Sequence, residues 1–189
     1  MHSDIIPQFT AIFKDFDLGD LYLDRFILSD APKVSMLKSD PTVLKYISRE
    51  PMETEAQAVE WTESRISDLN NNLGINWVIR SAKGCELIGT VGYWRFDPER
   101  FRAEIGYSLL PQHHGKGIMT RCLQCVLPFA FNEMNMHSIG AEIDPLNLAS
   151  QKVLEKSGFR KEAHFTEDFY FRGKFSDSAI YSLLEKWLR

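Results

Sequence analysis

The glycine-spaced turn around Gly115 and Gly117 has the residue types of a phosphate-binding site. A strand-like run from Arg102 ends at Pro111, and a long helical pattern begins after the turn. Glycine adopts positive φ and has no Cβ, so a ligand can approach its backbone closely. Unpaired N–H groups at the start of a helix bind phosphate, because the helix dipole is positive there. The order of strand, glycine turn and helix therefore predicts an anion site in this stretch.

Two better-known phosphate motifs are absent from this turn. The Gly-x-x-x-x-Gly-Lys-Ser/Thr loop of ATP-binding proteins is missing, because Lys116 is followed by Gly117. The Gly-x-Gly-x-x-Gly fingerprint of dinucleotide-binding folds is missing as well, because no third glycine follows. The sequence thus favours neither an ATP loop nor a dinucleotide fold.

Two motifs, spaced about thirty residues apart, resemble those of the GNAT acetyltransferases. The first, Gln112 to Gly117, matches the signature Gln/Arg-x-x-Gly-x-Gly/Ala, and the second matches Asn-x-x-Ser…Glu-Lys-x-Gly-Phe over Asn147 to Phe159. Three further segments are similar to the branch that includes ribosomal-protein N-terminal acetyltransferases: Leu21–Phe26, Leu87–Gly89 and Ala103–Tyr107. The resemblance runs from about Leu21 to the C-terminus. It is specific for the superfamily and its cofactor, and much less so for the acceptor.

The resemblance implies acetyl-coenzyme A as co-substrate, with its pyrophosphate on the turn. The residues expected to contact it are Leu109, Leu110, Gln112, His113, His114, Gly115, Lys116, Gly117, Ile118, Met119, Asn147 and Ser150. The adjacent histidines invite a metal interpretation, but no second cluster of ligands accompanies them in the sequence. No metal is therefore expected, and His113 and His114 are interpreted as part of the phosphate turn.

Glu104 is the candidate base. Strand alternation places it on the same face as Gly106 and Ser108, and an acid within an apolar strand requires an explanation. The resemblance implies that a glutamate here takes the proton of the amine, directly or through water. The alternative is a solvated carboxylate or one paired with Arg100 or Arg102.

Ser150 is the second candidate catalytic residue. In the resembled branch this serine lies near the thioester sulfur, whereas many other members use a tyrosine at the position that Leu154 occupies here. A hydroxyl is a weak acid, so a hydrogen bond to the sulfur is expected rather than full proton transfer. The alternative is that Ser150 only packs at the helix start; Asn147, likewise, either bonds the pantetheine arm or caps the helix.

Composition narrows the class of protein. A chain of 189 residues with 44% hydrophobic residues suits one globular domain, and the net charge of −4 argues against a nucleic-acid binder. The charge weakly favours a cationic acceptor such as an amine. Cys85, Cys122 and Cys125 are an odd set and are interpreted as structural thiols. The N-terminus lacks a basic leader and no apolar run reaches membrane-spanning length, so a cytoplasmic protein with no membrane partner is expected.

The elements expected to position these residues form a mixed α/β sheet. Residues 1–20 are an N-terminal arm, either a short helix packed on the body or an arm across a partner subunit in a homodimer. Residues 21–189 are the acetyltransferase core of a single domain. Predicted strands cover Leu21–Leu28, Ile75–Arg80, Glu86–Phe96, Arg102–Leu110, Ser138–Ile143, Phe159–Phe165 and Ser178–Leu184. Predicted helices cover Asp30–Leu37, Pro41–Ile47, 54–69, Gly117–Asn132 and Leu146–Ser157.

This order predicts a mostly antiparallel sheet flanked by helices, with one parallel crossover pair between Arg102 and Ile143. The expected activity is acetyl transfer from acetyl-CoA to a primary amine by direct attack, with a protein N-terminus as acceptor. The alternatives are a small amine, of the polyamine or aminoglycoside kind, and a non-catalytic acyl-CoA-binding module.

Overall fold

Residues 6–188, which this computed structural model describes, form one eight-stranded sheet. The strands are β1 (Phe16–Asp17), β2 (Tyr22–Asp24), β3 (Ile75–Arg80), β4 (Leu87–Asp97), β5 (Arg102–Leu109), β6 (Ser138–Ile143), β7 (Arg160–Phe171) and β8 (Lys174–Leu184). Their order across the sheet is β1-β2-β3-β4-β5-β6-β8-β7. Every neighbouring pair is antiparallel except β5 and β6, which the α5 crossover joins in parallel, as the sequence predicts.

Helices cover both faces of the sheet. They are α1 (Phe9–Ile12), α2 (Ala31–Ser39), α3 (Pro41–Leu44), α4 (Glu55–Asn70), α5 (Ile118–Asn132) and α6 (Leu148–Lys156). The larger core lies under α5 and α6, where Leu123, Val126 and Leu154 are buried against β3 to β6. A smaller core on the other face joins α2 and α4 to Val78 and Leu110. Each face of the sheet is thus covered by its own layer of helices.

Local signals set several element boundaries. Thr54 and Gln57 form the predicted capping box at the start of α4. Gly158 follows α6 with φ of 90°, as expected after a helix C-terminus. In the described part of the chain, no helix has the length and apolar character needed to cross a membrane.

The N-terminal residues within the described range pack on the body. Phe9 is buried in the larger core, and Phe13 stacks on Trp77 with ring centroids 5.4 Å apart. Strand β1 adds to the sheet edge beside β2. Of the two alternatives for this segment, residues 6–20 adopt the first; residues 1–5 lie outside the described part.

The C-terminal strands differ from the prediction. The sequence suggests strands over Phe159–Phe165 and Ser178–Leu184 with a polar loop between them, but β7 and β8 extend to a tight turn at Arg172 and Gly173. Both turn residues have positive φ, which suits the twist of a two-residue hairpin. The polar residues that suggested a loop lie on an exposed edge strand with a bulge near Glu167, where the hydrophobic alternation is lost.

Candidate active site

The turn after β5 presents a row of backbone donors. Gly115 and Gly117 have φ of 72° and 73°, and Gly117 is the N-cap of α5 in the left-handed region. Within residues 6–188, the backbone N–H groups from Gly115 to Thr120 have no protein acceptor. Several unpaired donors at one helix N-terminus favour a bound anion. The geometry is what a pyrophosphate site needs.

The side chains of this turn have different environments. His114 is held by a 2.8 Å contact from its Nε2 to the carbonyl oxygen of Leu109, so it closes the turn. Burial, with Lys116 and His114 nearby, lowers the pKa of His113 and favours its neutral form. Ile118 and Met119 are buried in the core and face a ligand only through their N–H groups.

The other residues expected to contact the cofactor also differ in whether they offer backbone or side-chain groups. Leu109 and Leu110 are buried side chains, so any contact with a ligand runs through their backbone. Gln112 and Lys116 are exposed and can reach a ligand with their side chains. The turn therefore recognises its ligand mainly by the main chain.

Strands β5 and β6 separate beside this turn. Their parallel pairing covers only Arg102 to Glu104, opposite Ser138 to Gly140. Beyond that point β5 continues along β4, and the rest of β6 pairs with β8. The side of β5 that faces the gap has peptide groups with no strand partner among the described residues. An extended ligand with amide groups can pair there as an added strand.

Glu104 lies at the point where the two strands separate. Its carboxylate is 20% exposed and accepts a 3.0 Å hydrogen bond from Arg95, whose guanidinium also lies 3.7 Å from Glu142. Arg95 has φ of 45° in a bulge of β4, which turns its side chain towards Glu104. The three residues line a cleft of about 290 Å³. Glu104 is therefore paired with a cation, as the alternative interpretation expects, but the partner is Arg95 rather than Arg100 or Arg102; its role as the base stays a prediction.

Arg102 lines the same cleft, but its guanidinium donates hydrogen bonds to serine side chains and not to Glu104. Its guanidinium donates to Ser182 at 3.1 Å and, weakly, to Ser138 at 3.4 Å. A Cβ on residue 140 would lie 2.6 Å from the Nη2 atom of Arg102, so a larger residue there would displace the end of this side chain. Arg95 and Arg102 carry no motif signal, because their roles depend on a bulge and on a neighbouring strand.

Ser150 and Asn147 lie across the sheet from Glu104. The Oδ1 atom of Asn147 accepts the backbone N–H of Ser150 at 3.1 Å, so Asn147 caps α6. The hydroxyl of Ser150 has no hydrogen-bond partner among the described residues. The Tyr107 phenol makes a long 3.4 Å hydrogen bond to the Ser150 carbonyl oxygen, and burial raises the pKa of this phenol to about 12. Tyr107, which sequence reasoning missed, links β5 to the first turn of α6 from a position that only the fold reveals.

Leu154 and Cys122 take no part in this arrangement. Leu154 is fully buried in the larger core, and a leucine side chain has no proton to donate. Burial, followed by the nearby Cys125, raises the pKa of Cys122 to about 12, which keeps the thiol protonated and unreactive. A search of residues 6–188 finds no group of three or more side chains suited to hold a metal ion.

Comparison with known proteins identifies a family and relatives to which this chain is similar. A family model described as "Acetyltransferase (GNAT) domain" matches residues 20–160. The chain is 31% identical over 170 residues to the "Uncharacterized N-acetyltransferase YoaA" of Bacillus subtilis, covering 87% of this chain and 96% of that protein. It is 27% identical over 153 residues to the "Spermidine N(1)-acetyltransferase" of Vibrio cholerae, covering 80% and 86%.

A solved structure agrees with these sequence matches. The acetyltransferase (GNAT family) from Bacillus anthracis superposes with a TM-score of 0.80 at 26% identity, over 92% of this chain and 99% of that one. The family match covers the strand, the glycine turn and the α6 segment that form the site. On the fold, the site and these matches together, the chain belongs to the GNAT family of acetyl-CoA-dependent N-acetyltransferases.

Proposed function

We propose that this enzyme acetylates the α-amine of a peptide N-terminus by direct attack of the amine on acetyl-CoA. The observation that carries the proposal is the gap between β5 and β6, which begins at Glu104 and lies beside the donor-rich turn. The gap has a carboxylate on one face of the sheet and a free hydroxyl, that of Ser150, on the other. A base and a hydrogen-bond donor on opposite sides of a reacting group suit acyl transfer.

The residues fit the cofactor that the family uses. The N–H groups from Gly115 to Met119 would hold its pyrophosphate, and the unpaired edge of β5 would hold its amide-containing arm. Acetyl-CoA supplies the acetyl group as a thioester whose sulfur leaves as a thiolate. Because both substrates meet in one cleft, proximity supplies much of the rate and no covalent enzyme intermediate is needed.

Glu104 accepts the proton of the acceptor's ammonium group, directly or through one water molecule, so that the neutral amine can attack the thioester carbonyl. Arg95 holds the carboxylate by one of its oxygens, which leaves the other available. On the opposite face, the Ser150 hydroxyl donates a hydrogen bond to the sulfur as it gains negative charge. That bond strengthens in the transition state, so it accelerates the reaction more than it aids binding.

The peptide acceptor agrees with the walls of the cleft. Trp94 is 44% exposed and lies beside Gly106, so it offers an apolar surface to a side chain next to the acceptor amine. A polyamine, the substrate in the name of the Vibrio cholerae relative, would need unpaired acids along its length. Here the positive charge of Arg95 lies beside both Glu104 and Glu142, which weakens the attraction of these two acids for a second ammonium group.

The test is a thiol-release assay with acetyl-CoA and a panel of acceptors. We expect turnover with peptides that have free N-termini, with the acetyl group located on the α-amine by mass spectrometry. The same peptides with blocked N-termini are the matched control and should give no signal. Turnover with spermidine alone, or modification of lysine side chains only, would overturn the peptide assignment while leaving acetyl transfer intact.

A further inference from the structure

Two cations lie over the ring of Trp61, on the helical layer that packs over β3 and β4, and a third lies near them. The Nζ atom of Lys38 lies 4.9 Å from the ring centroid of Trp61, and the guanidinium carbon of Arg65 lies 5.2 Å from it. Arg49, on the segment between α3 and α4, is the third member. We call Lys38, Arg49 and Arg65 the cationic cluster. All three are partly buried, so they are neither free in solvent nor sealed in the core.

Among the described residues, the cluster has a single acidic partner. Among residues 6–188, neither Lys38 nor Arg49 has a side-chain hydrogen bond or an ion pair; Arg65 pairs with Asp68 at 2.8 Å on its own helix. Glu50, the acid next to Arg49 in the chain, is bound to Arg172 instead. Three positive charges therefore share one neutralising carboxylate.

This arrangement is electrostatically unfavourable without an anion. Burial, with Arg49 and Arg65 adding to it, lowers the pKa of Lys38 to about 7. Burial and Arg65 likewise lower the pKa of Arg49. Charged groups that perturb one another in this way are concentrated at functional sites. A bound oxyanion would reverse both effects, because it stabilises the charged form of each cation.

The cluster lies on the same side of the sheet as Glu104. Register pairs Val78 with Thr90 and Thr90 with Ser108, so these three side chains share the face that packs against α2 and α4. Glu104 is four residues from Ser108 on β5 and points to that same face.

The chain next to Arg49 also reaches across the sheet. The ion pair of Glu50 with Arg172 connects the α3–α4 segment to the tip of the β7–β8 hairpin. Strands β7 and β8 lie beyond β6, on the far side of the gap. The segment that contains Arg49 is therefore linked to the hairpin on the far side of the gap.

We propose that the cationic cluster is a subsite for a carboxylate of the acceptor, so that the preferred substrate is a peptide with acidic residues close to its N-terminus. The proposal rests on the peptide N-terminal acetylation proposed above. Arg49 and Arg65 present planar forks that match a carboxylate, and Lys38 adds a compact charge on the Trp61 face. The same three positive charges repel a polyamine, so they weaken the binding of a polyamine relative to an acidic peptide.

The experiment compares two peptides that differ only by Glu or Gln at the second to fourth positions. We expect the acidic peptide to have the higher kcat/KM, by roughly ten- to a hundredfold, as charge-assisted hydrogen bonds would produce. Lys38→Met and Arg49→Met should each reduce this ratio towards one, whereas Lys38→Arg should keep most of it.

The matched control is Lys83→Met. Lys83 also lies over an aromatic ring, 5.4 Å from the centroid of Tyr22, but it is exposed and outside the cluster. This variant should leave the ratio unchanged. Equal rates for the two peptides, or a preference that survives both Lys38→Met and Arg49→Met, would overturn the subsite.

A second measurement separates failure of the subsite from failure of the proposed function. If no peptide is acetylated, the peptide assignment fails, and the cluster is then tested by thermal unfolding with added inorganic phosphate. A phosphate-dependent rise in Tm that is lost in Lys38→Met and kept in Lys83→Met supports an oxyanion site on its own. A rise that is the same in both variants overturns it.

Discussion

At the residue scale, the site combines groups that the sequence predicts with groups that it does not. Glu104 and Ser150 could be selected from strand alternation and motif position. Their neighbours Arg95 and Tyr107 could not, because the first depends on a bulge and the second on a contact between residues 43 positions apart. Asn147 had two interpretations: the geometry shows that it caps the helix, and its contact with the pantetheine arm stays a prediction.

Replacing Glu104 by Gln should lower kcat by about 10²- to 10⁴-fold, the range typical of a lost general base. Cofactor affinity should hardly change, because the proposed role of Glu104 is towards the acceptor amine and not towards the cofactor. Glu142→Gln is the matched control, since Glu142 contacts the same Arg95 and should have a much smaller effect. Steady-state kinetics and calorimetry with acetyl-CoA provide the two readouts. Equal losses in both variants would mean that the charge balance around Arg95, and not a base, is what matters.

The Ser150→Ala variant should fold, bind acetyl-CoA nearly normally and lose turnover by roughly ten- to a thousandfold, as when one donor is removed from an oxyanion site. The reason is that the hydrogen bond to the sulfur strengthens in the transition state. Ser157→Ala, at the other end of α6, is the control, because its hydroxyl only donates to the Val153 carbonyl. Normal turnover in Ser150→Ala would leave this serine as a residue of the helix start, and lost cofactor binding would make its role positional.

At the element scale, the function depends on how strands and helices end. Strand β5 ends at the turn that starts α5, and its pairing with β6 stops at Glu104. Helix α6 begins at the Asn147 cap, which positions Ser150. A strand end, a strand separation and two helix starts therefore meet at one location, and each contributes backbone groups or a side chain to the site.

Gly117→Val should reduce acetyl-CoA affinity by more than tenfold while the protein stays folded. A β-branched residue avoids the left-handed region, at a cost of about 1–2 kcal/mol, so the turn would move and its N–H groups would no longer converge. Gly84→Val is a close control, because Gly84 also has positive φ and open space around its Cβ position. Both variants should lose similar stability in thermal unfolding, but only Gly117→Val should lose affinity in calorimetry. Unchanged affinity in a folded Gly117→Val would show that the turn does not bind the cofactor.

At the scale of the whole molecule, net charge is a poor guide to the substrate. The chain carries −4 overall, which weakly favours a cationic acceptor. The local distribution differs, since Lys38, Arg49 and Arg65 lie close together with a single acidic partner among the described residues. Recognition at short range depends on these local charges, because charges farther away than the Debye length of about 8 Å are largely screened.

The cluster also predicts how stability depends on pH. The pKa of Lys38 is about 7 in the folded protein and near 10.5 when unperturbed. Because folding lowers this pKa, burial of Lys38 costs no stability above about pH 10.5, where the amine is neutral in both states. The cost grows as the pH falls from 10.5 towards 7, so the protein loses stability over this range. Lys38→Met should therefore raise Tm relative to wild type, more at pH 6 than at pH 9.5. Each kcal/mol gained in the free energy of unfolding should raise Tm by ~2–4 °C.

Thermal unfolding in a phosphate-free, low-salt buffer measures this difference at the two pH values. Lys83→Met should show no such pH-dependent gain, because Lys83 is exposed. If Lys38→Met lowers Tm equally at both pH values, the lysine stabilises the fold by packing on Trp61 and its charge is not the cost.

The sequence by itself determined the fold class and most element positions, and it predicted the anion turn and the two candidate catalytic side chains. These features depend on short-range chemistry: side-chain periodicity, caps, and glycines at positive φ. Only the tertiary structure decided the length of the β7–β8 hairpin, the Arg95–Glu104 pair, the contact of Tyr107 with α6 and the cationic cluster around Trp61. Each of these depends on packing between segments or on an irregular backbone, and such long-range energies leave no local pattern in the chain.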